Sequence, residues 1–226
     1  MRKIFWIILF LLVLAANIAG IILGNELLQY YSKPILMIIL GAYFIAQTKV
    51  PATWLKVWIL AALFFSWGGD ILLIFQDKRS LFFLLGLSSF LIAHVFYIVF
   101  FHNIRLIEEI KSNPLLLLIV VVYYAILISI LSPFLGTMKL PVRVYGIVIS
   151  FMFLLAMHML FIKNKAAGKW MFFGALLFVI SDSVLAINKF YQSFDGAGII
   201  IMLTYGLAQL FLVEGSSRYI TSKYKE

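Results

Sequence analysis

From Phe64 to Phe101 the chain reads FFSWGGDILLIFQDKRSLFFLLGLSSFLIAHVFYIVFF, two apolar stretches joined by a short charged turn. Stretches of this kind cross a bilayer as helices, because lipid offers a peptide group no partner and a helix satisfies its own. Each stretch carries one residue that hydrocarbon penalises, Asp70 in the first and His94 in the second. A carboxylate deep in the membrane costs about 2.5–3.5 kcal/mol on insertion scales, so it calls for a partner or a task.

The same texture recurs along the whole chain. Hydrophobic residues make up 65% of it and charged residues 12%, which excludes an ordinary soluble domain. A β-barrel would show short alternating segments instead of continuous runs. Eight spans are predicted: Ile4–Leu23, Pro34–Gln47, Trp54–Phe75, Ser80–His102, Pro114–Phe134, Pro141–Ile162, Gly168–Phe190 and Ala197–Glu214. The expected fold is therefore all-α, a polytopic membrane protein with eight transmembrane helices in a single domain. The second span rises only about 21 Å, so it is expected to recruit Leu27–Tyr31 or Val50. Pro34, Pro114 and Pro141 are read as span starts, where a missing N–H does no harm. Arg2 and Lys3 before an apolar run resemble a signal peptide. The run is longer than an h-region of roughly 7–15 residues, and a retained first helix is expected.

A net charge of +9 suggests nucleic acid at first sight. The cations fall at span ends and form no patch, which fits orientation and contact with anionic lipid instead, and no nucleic acid is expected. With eight spans, twelve of the 18 lysines and arginines lie on the side of the termini, Arg2 and Lys225 among them. The other side holds Lys33, Lys78, Arg79, Lys139, Arg143 and Lys189. This bias places both termini in the cytoplasm, the membrane being the bacterial cell (inner) membrane. All loops are short, so the chain acts inside or at the edge of the bilayer. There is no cysteine, and the three histidines do not cluster as zinc ligands must. No metal or other cofactor is expected.

A weak internal repeat is visible. One constant offset pairs Asp70 with Asp182, Leu73 with Leu185, Phe82 with Phe194 and Gly86 with Gly198. Spans three and seven then run in the same direction, which suggests two parallel four-helix halves, residues 1–112 and 113–226.

Only two acids lie well inside predicted spans, Asp70 and Asp182. Glu26, Asp77, Glu108, Glu109, Asp195 and Glu226 belong to loops or the tail, and Glu214 closes the last span as an i,i+4 partner for Arg218. Counted from the span ends, both aspartates lie roughly 9–12 Å below the surface away from the termini. Matched depth on parallel helices makes one shared polar pocket the economical reading. The plainer alternative is that each Asp only ties the bundle together. Ser66, one turn from Asp70, is a candidate hydrogen-bond partner, and Gly68 and Gly69 permit close helix approach or a local break. His94 and Tyr97 form a polar patch that counts as about 10 Å deeper than the acids, so His94 is not expected to touch Asp70. Tyr205 lies nearer the acids' depth. Asn188 and Lys189 follow Asp182 on its helix, Lys189 either reaching back or snorkelling outward.

These residues resemble the YhhN family of multi-pass membrane proteins, which includes the lysoplasmalogenases. The resemblance rests on Ser66-Trp-Gly-Gly-Asp70-Ile-Leu-Leu, on Gly86-Leu87 with Phe90, and on Ala93-His94-Val-Phe-Tyr97. It continues in Gly174-Ala-Leu-Leu-Phe178, Ser181-Asp182-Ser183 and Leu185-Ala186-Ile-Asn188-Lys189-Phe190. It implies eight transmembrane helices and hydrolysis of the vinyl ether bond of lysoplasmalogens to a fatty aldehyde and glycerophosphocholine or glycerophosphoethanolamine. It implies Asp70 and Asp182 as the catalytic acids, with His94, Asn188 and Lys189 in support. The chemistry suits the residues. A vinyl ether hydrolyses by protonation of its β-carbon, and the oxocarbenium ion takes up water, a task for one proton donor and one carboxylate as in glycosidases. Neighbouring carboxylates in a site of low dielectric do not both ionise readily, so one Asp can serve as general acid. The partners expected are a lysophospholipid, entering laterally with its phosphate near Lys189 or Arg143, and membrane lipid. The competing reading is a proton-coupled transporter of lipids or small molecules, and a third is an interaction scaffold with structural aspartates.

Overall fold

The computed structural model describes residues 3–50, 53–76 and 78–224; Arg2, Asp77, Lys225 and Glu226, assigned above to loops and termini, lie outside them. Eight helices account for nearly all of the described chain: α1 Lys3–Ile22, α2 Glu26–Gln47, α3 Trp54–Ile74, α4 Ser80–Ile107, α5 Pro114–Leu131, α6 Lys139–His158, α7 Lys165–Ala186 and α8 Ala197–Lys223. All eight, α5 to α7 counted with their short flanking turns, are long and apolar enough to cross a membrane, and this is an integral membrane protein. Asn and Thr side chains start several of them. Asn25 accepts from the Leu28 amide (3.0 Å), Thr53 from Lys56, Asn113 from Leu115 and Asn164 from Ala167, which satisfies amides a helix cannot bond itself.

Several boundaries differ from expectation, α4 running on to Ile107 instead of His102. The second helix begins at Glu26, so it takes in Leu27–Tyr31 as expected, and Pro34 sits inside it and not at its start. Capping by Asn25 starts the helix a full two turns before the proline, and Val50 stays outside because Thr48 ends it. Glu214 does not close the last helix, which continues to Lys223. With Asp70 it is one of two buried acids among the described residues, at 3% exposure. Arg218 pairs with it one turn on, as expected, and Lys3 of α1 and Tyr43 of α2 also donate to it. Beyond Ala186, α7 runs on as one π-helical turn, Ile187–Tyr191.

The Lys3–Glu214 pair puts the beginning of α1 and the end of α8 at one end of the bundle, termed the near end below. α7 and α8 pack closely along their length, as do α3 and α4, while α1 lies against α2 and α8. Leu115, Leu118, Val121 and Ile126 of α5 face outward; in water such a face would be a liability, and in lipid it costs nothing. The interior is aromatic and aliphatic, Tyr43, Phe44, Phe100, Phe101 and Phe178 being wholly enclosed.

Candidate active site

In the half of the bundle away from the near end, six helices line one cavity, Lys33 of α2, Asp70 of α3, Phe90 of α4, Tyr145 of α6, Asp182 of α7 and Tyr205 of α8 among its walls. Both aspartates thus face one space.

Asp70 is 1% exposed. Its Oδ2 accepts a hydrogen bond from the Tyr205 hydroxyl at 2.7 Å, and the Lys33 ammonium stands 3.8 Å from Oδ1. That oxygen has no hydrogen-bond donor among the described residues. Helix α3 passes unbroken through Gly68 and Gly69. A Cβ on Gly69 would meet the Phe90 ring at 2.6 Å, so the glycine lets α4 come close enough for Phe90 to reach the cavity. Phe90 and Phe178 then meet the Tyr205 ring edge-to-face at 5.7 and 5.5 Å, which fixes the phenol that holds Asp70. Ser66 does not bond Asp70. Its hydroxyl accepts from Gln209 Nε2 at 2.9 Å.

Asp182 accepts a hydrogen bond from the Tyr145 hydroxyl on Oδ2. His94 Nε2 lies 3.6 Å from the same oxygen. The imidazole is fully buried against Phe178, 4.7 Å between ring centres, and Tyr145, 5.4 Å. Counting backbone rise placed His94 well below both acids, and for Asp182 the gap is closed. Side chains lean toward the N-terminus of their own helix. Since α4 and α7 are antiparallel, His94 leans up and Asp182 leans down.

Tyr97 lies one layer further toward the near end. Its hydroxyl donates to Gln209 Oε1 at 2.7 Å, and Gln209 bonds Ser66, a wholly enclosed polar layer beneath the cavity. Tyr97 and Gln209 are 112 residues apart, the interval that also separates Asp70 from Asp182. Asn188 and Lys189 are not brought to Asp182. Asn188 Oδ1 accepts from the Phe194 amide at 3.2 Å, tying the turn after α7, and exposed Lys189 stands over the ring of Phe83, 5.2 Å from its centre. Arg143 is exposed and bonds Ser132 at 3.2 Å.

Of the residues singled out in the sequence, Asp70, Asp182, His94 and Tyr205 converge, Tyr97 supports them from below, and Asn188 and Lys189 stand apart. Lys33, Tyr145 and Gln209 had not been singled out for the site. Lys33 was assigned to a loop because Pro34 was read as a helix start. A lysine seven residues inside an apolar helix is itself a signal of the kind Asp70 gave. The arrangement holds two carboxyl groups, a phenol on each, one ammonium at the side of Asp70 and an imidazole at the side of Asp182. Such a set can give and take protons and can neutralise one anionic group.

The chain matches the YhhN family over residues 28–216. It is 31% identical over 188 residues to lysoplasmalogenase TMEM86B of Rattus norvegicus, covering 82% of this chain and 71% of that one. It is 34% identical over 161 residues to lysoplasmalogenase TMEM86A of Homo sapiens (68% and 62%) and 26% identical over 195 residues to a lysoplasmalogenase of Mycobacterium tuberculosis (85% and 71%). No solved structure matches it.

Proposed function

The chain belongs to the YhhN family, and on that premise we propose that it hydrolyses the vinyl ether bond of lysoplasmalogens at Asp70 and Asp182. The observation that carries the site is the single cavity lined by both aspartates, each held by a phenol from another helix. One carboxyl group protonates the β-carbon of the alkenyl chain. The other, as carboxylate, stabilises the oxocarbenium ion and takes a proton from the water that adds to it. The hemiacetal collapses to a fatty aldehyde and a glycerophospho-alcohol. Enclosure by Phe90, Leu87 and Met202 keeps bulk water away from the cation. Lys33 is the one cation among the cavity's lining residues, and it is the group for the substrate's phosphate, in preference to Lys189 or Arg143.

The lysine and arginine bias supports cytoplasmic termini, and with them a site that opens on the opposite leaflet of the cell's inner membrane. Equivalent residues meeting near the centre, Asp70 with Asp182 around one cavity and Tyr97 with Gln209 in one hydrogen bond, support two parallel halves related by an axis along the membrane normal.

The test is aldehyde release from a lysoplasmalogen by the purified protein. Asp70→Asn and Asp182→Asn should each lose at least about a hundred-fold in rate, as for loss of a general acid or base, while retaining the wild-type melting transition. Absence of release from any alkenyl lysolipid would sink the reading.

A further inference from the structure

A second cavity lies on the other side of Tyr145 and Asp182. It lies between α5, α6 and α7, with Leu127 and Leu131 on one wall and Val142 and Ile149 on another. Its polar groups are paired with one another or with backbone: Tyr123 shares a hydrogen bond with Ser183 (2.8 Å), Tyr124 donates to the Arg143 carbonyl (3.4 Å) and Tyr145 donates to Asp182. What remains is hydrocarbon wall, and among the described residues no lysine or arginine lines it. On its outer side stands α5, the helix with the largest lipid-facing share.

We propose that this slot receives the alkenyl chain of the lysolipid and that Asp182 is the proton donor; both statements rest on Asp70 and Asp182 being the active site. Tyr145 and Asp182 line both cavities, whereas Lys33 and Asp70 line only the polar one. A substrate with an anionic head and an apolar tail fits this pair of spaces in one direction. The phosphate lies toward Lys33, the tail toward α5, and the bond between them crosses at Asp182. In an alkenyl ether the β-carbon belongs to the tail and the ether oxygen to the head, so the β-carbon falls on the Asp182 side. The Asp182 carboxyl proton forms the new C–H bond, and the C=C electron pair supplies it. Water then bonds to the α-carbon and loses a proton to the Asp70 carboxylate. As the hemiacetal C–O bond breaks, Asp70 returns that proton to the departing glycerol oxygen, and the hemiacetal hydroxyl reprotonates Asp182.

Two measurements test this. A saturated alkyl-ether lysophosphocholine with a diazirine at the chain end, photolysed in proteoliposomes of the wild-type protein, should label residues 123–149. Label confined to α2, α3, α4 and α8 overturns the slot. Leu127→Trp should lower kcat/KM at least ten-fold more for an eighteen-carbon than for an eight-carbon alkenyl chain; an equal change at both lengths also counts against it. For the proton donor, formate is added to the alanine variants across pH. Activity of Asp182→Ala should follow undissociated formic acid and that of Asp70→Ala the formate anion, and any other pattern overturns the assignment. If instead both asparagine variants keep wild-type activity, the active-site reading itself fails, whatever the label shows.

Discussion

His94 on α4 and Asp182 on α7 come within 3.6 Å of each other although they belong to different halves of the chain. The histidine is wholly buried, and neither ring nitrogen has a hydrogen-bond partner among the described residues. Its one polar neighbour of consequence is therefore the carboxyl group that Tyr145 also holds. His94→Phe should keep the edge packing on Phe178 while removing the polar contact. The expected outcome is a fall in kcat of about ten-fold with little change in KM, measured by aldehyde release.

Tyr145→Phe and Tyr205→Phe each remove a single hydroxyl from a carboxyl oxygen, that of Asp182 gaining charge as its proton leaves. A hydrogen bond to a charged group is worth about 1.5–3 kcal/mol, so each variant should lose roughly 10- to 150-fold in kcat/KM. The double variant should lose close to the product of the two, because the phenols contact different carboxyls. A double loss no larger than either single one would mean that the two phenols act as one coupled unit.

Lys33→Met removes the ammonium 3.8 Å from Asp70. The lysine is 19% exposed, so water screens part of the effect on stability. The expected change is chiefly in KM for a phosphate-bearing substrate, with Lys33→Arg recovering most of it. An alkenyl glycerol without phosphate should show no KM change in Lys33→Met; a fall in kcat shared by both substrates would report the lost ammonium beside Asp70, and a KM change confined to the phosphate-bearing substrate shows that the lysine reads phosphate.

Gly174 of α7 faces the backbone of α8. A Cβ there would stand 2.8 Å from the Leu212 amide nitrogen and 2.9 Å from the Ala208 carbonyl. Backbone cannot swing aside as a side chain can, so Gly174→Ala should destabilise by about 1–3 kcal/mol, read as a lowered Tm in detergent.

Glu214→Gln tests the near end in isolation. It weakens the contacts with Lys3, Arg218 and Tyr43. With Lys3 and Arg218 side chains 37% and 40% exposed, the cost should be near 1 kcal/mol. Hydrolysis at the opposite end of the bundle should continue at the wild-type rate, measured at a temperature well below the transition.

The helices and the two aspartates were legible because each depends on one local property: a long apolar run must be a helix in lipid, and an acid within it is conspicuous. What escaped the sequence depends on how helices face one another. Tyr145 and Gln209 are ordinary residues for a membrane helix, and nothing in their own neighbourhoods says that one bonds Asp182 and the other Tyr97. His94 was misplaced relative to Asp182 because backbone rise locates Cα atoms, not the imidazole and carboxyl that lean together from antiparallel helices. Lys33 was lost through a single misread proline. Asn25 caps α2 well upstream of Pro34, and a helix eight residues longer turns a loop cation into a group beside Asp70.

The clamp of Lys3 and Glu214 also sets an order of assembly. The two residues are 211 positions apart, and at about 5–20 residues per second the ribosome needs on the order of 10–40 s to make the chain between them. During that interval the first helix can dock on the second, through Asn17 and Ser32, but its charged end has no acid to meet. Helix α8 supplies that acid together with Tyr205, so the step that locks α8 to α1 is also the step that gives Asp70 its phenol.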